Sequence, residues 1–79
     1  MDVLTPKQMQ ILRTLYAQGA SMSPTGMGMA CGQPYRKASS WASSGIKALV
    51  EKGYVRRAPG STYELTKAGK MVGEEVAGE

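Results

Sequence analysis

The 79-residue chain has no histidine, no phenylalanine, one cysteine and one tryptophan. Each absence removes a class of chemistry. Without histidine there is no hydrolytic triad and no His-bearing zinc site, and a single cysteine cannot build a Cys-rich one. Cys31 has no partner for an internal disulfide. It reads as a small buried hydrophobe, because a redox-sensing thiol needs exposure and a cationic neighbour. No basic stretch followed by an apolar core opens the chain, and no long apolar run crosses it. A cytoplasmic protein with no membrane partner is therefore expected. Paired carboxylates in a pocket-like setting, a phosphate-binding loop and a nucleophile beside a base are also missing. Gly26-Met27-Gly28 is too short for a nucleotide motif. No enzyme activity, metal or cofactor is expected.

What is present fits one domain spanning 1–79. A chain of this size buries little more than ~60% of its unfolded surface, so its core is thin. Leu, Ile, Val and Met supply that core, with Trp41 and four tyrosines as the aromatics. Met22, Met27 and Met29 are read as gap-fillers around a glycine-rich segment, with a sticky partner surface as the alternative.

Ten basic and six acidic residues give a net charge of +4. The excess is uneven. Arg36, Lys37, Lys47, Lys52, Arg56 and Arg57 fall in one window with the single acid Glu51, so that window carries +5 and the rest is close to neutral. A basic middle in a small domain points to an anionic partner, nucleic acid first. The plainer alternative is a solvated basic surface.

Residues 4–18 form the clearest helix. Thr5-Pro6-Lys7-Gln8 is a capping box, with Thr5 at the N-cap, Pro6 at N1 and Gln8 at N3. Leu4 and Met9 hold the positions of a hydrophobic staple. Ile11, Leu12, Leu15 and Tyr16 follow at helical spacing, and Gly19 is a natural stop. Ala20 to Met22 is expected as a short edge strand. Ser23-Pro24 starts a second helix, Pro24 to Cys31, with Met27, Ala30 and Cys31 inward and Gly32 as its end. Gly26 and Gly28 make it weak, by up to ~1 kcal/mol each relative to Ala. A third helix runs from Tyr35 to Lys52 and stops at Gly53. Its buried sector is Tyr35, Ala38, Ala42, Gly45, Ile46 and Leu49. Tyr54 to Ala58 and Ser61 to Leu65 read as strands joined at Pro59-Gly60, by a type II turn or a looser connection. Thr66 caps a last helix from Lys67 to about Val76, with Ala68, Met71, Val72 and Val76 inward. Gly69 and Gly73 weaken it, and Glu74 and Glu75 oppose its dipole.

The order is three helices, a hairpin and a helix. Leu49-Val50-Glu51-Lys52-Gly53-Tyr54-Val55-Arg56-Arg57, followed by Tyr63-Glu64-Leu65-Thr66-Lys67-Ala68-Gly69, resembles the end of the recognition helix and the wing of bacterial winged helix-turn-helix regulators, the MarR and PadR types above all. The resemblance is specific over Ile46 to Gly69 and rests on pattern alone over Pro6 to Cys31. It implies a mainly α, α+β winged helix and a small bacterial or phage regulator that binds double-stranded DNA. Features that differ from that pattern include a short wing, a third helix that starts a few residues early, and the middle of that helix, SSWASSG, which is small and polar.

In that arrangement the outer face of helix 35–52 enters the major groove and the 54–65 wing lies on the flanking backbone. The candidate DNA-binding residues are Arg36, Lys37, Ser40, Ser43, Ser44, Lys47, Arg56 and Arg57. The cations neutralise phosphates; the serines reach a phosphate or base edge only if the helix sits deep. Strand alternation sends Arg56 and Arg57 to opposite faces. With Val55 inward, Arg56 points out and is the better candidate. Both are otherwise solubilising charges that protect a hairpin edge. Trp41, on the flank, is read as core rim or as a partner contact. A palindromic site calls for a homodimer, through the first or last helix. The alternative function is a winged helix used as a protein-interaction module.

Overall fold

The computed structural model describes residues 3–19 and 21–78. Helix α1 spans Pro6–Gln18 and begins as its local sequence dictates. The Thr5 hydroxyl accepts from the Gln8 N–H at 3.1 Å, and the Gln8 side chain accepts from the Thr5 N–H at 3.1 Å. Two otherwise orphaned donors are thereby satisfied. Gly19 closes the helix in the left-handed region, at φ 68°.

Helix α2 is Pro24–Ala30, with Ser23 accepting from the Gly26 N–H. It ends one residue before the expected Cys31, which is its C-cap. Helix α3 is Tyr35–Glu51. Strands β1 (Val55–Ala58) and β2 (Thr62–Leu65) pair antiparallel, with Val55 opposite Leu65, Arg56 opposite Glu64, Arg57 opposite Tyr63 and Ala58 opposite Thr62. The connection is the looser of the two expected forms. Pro59, Gly60 and Ser61 make a three-residue loop, with Gly60 at φ 81° and Ser61 at φ 58°. Such loops place a residue in the left-handed region before the return strand. The strand expected over Ala20–Met22 is, in its described part, one bridge. Met22 exchanges two backbone hydrogen bonds with Tyr63, of 2.9 and 2.8 Å; Ala20 lies outside the described residues. Helix α4 is Lys67–Ala77.

One core joins these elements. Ile11, Leu12 and Leu15 of α1 meet Met27 of α2, Ala42, Ile46 and Leu49 of α3, and Val55 and Leu65 of the hairpin. Full burial of side chains like these is worth about 1.5–3 kcal/mol each. The sector expected on α3 is buried from Ala38 to Leu49, but Tyr35 is 73% exposed. It occupies the first helical position, where no neighbouring element reaches over it.

Two inner faces differ from expectation, both because of glycine. In α2 the buried residues are Met27 and Gly28, while Ala30 is exposed and Cys31 half-buried. In α4 they are Gly69, Gly73 and Val76, with Val72 partly buried; Ala68 and Met71 face out. A methyl group on Gly28 would collide with the Ala38 backbone, and one on Gly69 with the Tyr54 carbonyl. One on Gly73 would press on the Tyr16 side chain, at 3.1 Å. These glycines lower helix propensity but permit backbone contact. The expected opposition between Glu74, Glu75 and the α4 dipole is partly answered from α1. The Arg13 guanidinium donates to the Val76 carbonyl at 3.5 Å, placing a cation at that helix end.

Candidate nucleic-acid interface

Helix α3 presents a ridge opposite its buried sector. Arg36, Lys37, Ser40, Ser43, Ser44 and Lys47 are all exposed there. Its first turn holds two of these cations and no acid, and the N-cap residue, Pro34, makes no side-chain hydrogen bond to the helix. The positive end of the helix dipole and two side-chain charges therefore coincide at one end.

The three serines differ chemically. Ser43 donates its hydroxyl to the Ser39 carbonyl at 2.6 Å, and Ser40 donates to the Lys37 carbonyl at 3.2 Å. With their protons engaged, both offer lone pairs outward. Ser44 accepts from the Lys7 ammonium at 2.9 Å and keeps its own proton to donate.

The hairpin lies along one flank of α3. Pro24, Ser43, Ile46, Lys47, Val50, Glu51, Arg57 and Tyr63 line an open groove between them. Arg57 thus faces Lys47 and Ser43 across this groove, with Glu51 as the acid at its edge. Arg56 projects from the other face of the hairpin, as alternation requires. Its Nε donates to Glu64 Oε1 at 3.0 Å, directly across the strand pair. Glu64 in turn lines a separate depression with Leu15, Tyr16, Gly19 and Lys70, beside α1 and the start of α4. The alternation read from sequence is correct, but the outward face is not the one beside α3. Arg57, on the hairpin face opposite to Arg56, is the hairpin cation that shares a surface with the α3 ridge.

Lys7 was not among the residues selected from the sequence. It lies one helical turn before Ile11, and its stem runs past Gly45, where a methyl group would sit 3.5 Å from Lys7 Cε. The ammonium is 4.7 Å from the centre of the Trp41 ring. Trp41 itself packs partly buried against the core, as the rim reading expected.

No protein-family model matches the chain, and no curated protein matches it by sequence. Solved structures do. A MarR family protein of Mycobacterium tuberculosis superposes with a TM-score of 0.75 at 20% identity, over 95% of this chain and 53% of that one. MepR, a transcription regulator of the Staphylococcus aureus multidrug efflux pump MepA, gives 0.75 at 21% identity, over 95% and 55%. A transcriptional regulator of Thermotoga maritima gives 0.73 at 29% identity, over 92% and 51%.

The fold is a winged helix. The solved structures it resembles are a MarR family protein and two transcription regulators. The chain spans about half the length of the regulators it matches. Within the winged helix, α3 is the third core helix and β1–β2 form the two-stranded wing. Among the described residues, no helix is long and apolar enough to cross a membrane.

Proposed function

We propose that the chain is a DNA-binding module of a transcriptional regulator. Helix α3 enters the major groove, and the wing lies on the flanking backbone. One observation carries this reading: the exposed α3 ridge bears Arg36, Lys37 and Lys47, and Arg57 of the wing adds a fourth cation across the adjoining groove. A B-form major groove is about 12 Å wide and admits a helix. Arg36, Lys37 and Lys47 neutralise phosphates and fix the position of the helix. Ser40, Ser43 and Ser44 approach the base edges, the first two as acceptors and Ser44 as a donor. Of the wing arginines, Arg57 makes the backbone or minor-groove contact. Arg56 serves mainly to hold Glu64, which revises the sequence-based preference. Binding to a palindrome would engage two copies.

The test is fluorescence anisotropy of a labelled random duplex at several salt concentrations. With about four phosphate contacts, the log–log salt slope is expected near −3.6. Lys47→Glu with Arg57→Glu should abolish binding while the unfolding curve is retained. Failure of the parent protein to bind at low salt would overturn the reading and leave an acidic protein partner as the next candidate.

A further inference from the structure

We infer that Lys7, on the first helix, is part of the nucleic-acid surface and supplies a phosphate contact on the flank of α3 opposite the wing. This inference rests on the DNA-binding reading above.

Three neighbours hold Lys7 in place. Its stem lies over Gly45, its ammonium stands 4.7 Å from the Trp41 ring centre, and Ser44 accepts one of its protons at 2.9 Å. An ammonium has three protons and no acceptor capacity. One goes to Ser44, and the ring face attracts the charge as a whole, so donor capacity remains for an incoming anion. A lysine already confined loses less freedom on meeting a phosphate than one free in solvent.

Position identifies the partner. A helix in the major groove has a sugar-phosphate strand on each side. Arg57 stands on the Ser43 and Val50 flank of α3, across the wing groove. Lys7 stands on the other flank, beside Trp41 and Ser44. Cations from two different elements thus bracket one helix, matching two phosphate strands bordering one groove. The same contact gives Ser44 its donor character: while its lone pair accepts from Lys7, its proton is directed elsewhere.

The experiment compares the parent with Lys7→Met, Lys7→Gln and Lys7→Arg in duplex titrations between about 50 and 200 mM salt. Lys7→Met keeps an apolar stem over Gly45 and removes the charge. The expected result is a salt slope smaller by about 0.9 and binding roughly five- to tenfold weaker near 0.1 M salt. Lys7→Gln should behave likewise, and Lys7→Arg should keep the parental slope. The emission of Trp41, the single tryptophan, should respond to duplex in the parent and less in Lys7→Met. Parental affinity and slope in both neutral variants, with Arg57→Ala reducing both quantities, would overturn the inference alone. Weaker binding at an unchanged slope would also overturn it, since the residue would then act through packing only. A parent that binds no duplex overturns this inference together with the DNA-binding reading.

Discussion

Gly28 of α2 lies against the backbone of Ala38 in α3, with no space between them for a methyl group. This contact sets how closely the two helices of the helix-turn-helix approach, and therefore how α3 is presented. Gly28→Ala should gain up to ~1 kcal/mol of helix propensity and lose more than that to overpacking, which typically costs about 1–3 kcal/mol. Urea unfolding should show net destabilisation. Gly73→Ala would press on Tyr16 Cβ and ring at 3.1–3.4 Å, without the backbone collision at Gly28, and should fall closer to neutral. If Gly28→Ala were as stable as the parent, close helix approach would not be the reason for glycine there.

Thr66 links the end of α3 to the start of α4. Its hydroxyl accepts from the Gly69 N–H at 3.1 Å and donates to the Gly53 carbonyl at 2.6 Å. Thr66→Ala removes an N-cap and a bond to the turn after α3, with an expected loss of about 1–2 kcal/mol. Thr66→Ser should recover most of it. Equal stability of the Ala and Ser variants in thermal melts would contradict this.

The Arg56–Glu64 pair is exposed, with side-chain accessibilities of 67% and 37%. A double-mutant cycle should give about 0.2–1 kcal/mol at low salt, fading as salt is raised. A coupling that persists at 1 M salt would show that the pair is more than a surface interaction.

The two wing arginines should separate in DNA binding. Arg57→Ala is expected to weaken duplex affinity roughly five- to tenfold near 0.1 M salt and to lower the salt slope by about 0.9. Arg56→Ala should do less, because its guanidinium is engaged by Glu64 on the other face. The reverse order in parallel titrations would restore the assignment made from sequence alone.

Much of this fold was legible because its signals are local. The Thr5–Gln8 capping box, the Ser23 and Thr66 caps and the Gly19 and Gly53 stops depend on residues within one turn of each other. The buried sector of α3 followed from spacing, apart from Tyr35 at the uncovered helix start. The inner faces of α2 and α4 were legible at Met27, Val72 and Val76 but not at their buried glycines, because glycine registers locally as a weak helix former. Its tertiary value depends on which backbone lies opposite, here Ala38 for Gly28 and Tyr54 for Gly69. The candidate site divides in the same way. The α3 ridge came from periodicity within one helix. The side of the hairpin that faces α3 required the packing of two elements, and Lys7 required Gly45, 38 positions away in the chain.

The base of the hairpin has one more consequence. The Tyr54 carbonyl accepts from the Thr66 N–H at 3.0 Å, and Thr66 also grips Gly53, so both legs leave the domain from one pinned point. The tip, Pro59 to Ser61, is exposed and turns in three residues. Anchorage and length are thus separate properties of this arm. Inserting two residues into each strand near the tip would extend it by about 7 Å and keep Arg57 on the α3 side, whereas one residue per strand, placed between the base and Arg57, would turn that arginine away. The domain works as a fixed grip with an adjustable reach. How far the arm extends beyond the helix can be reset at the tip without rebuilding the core.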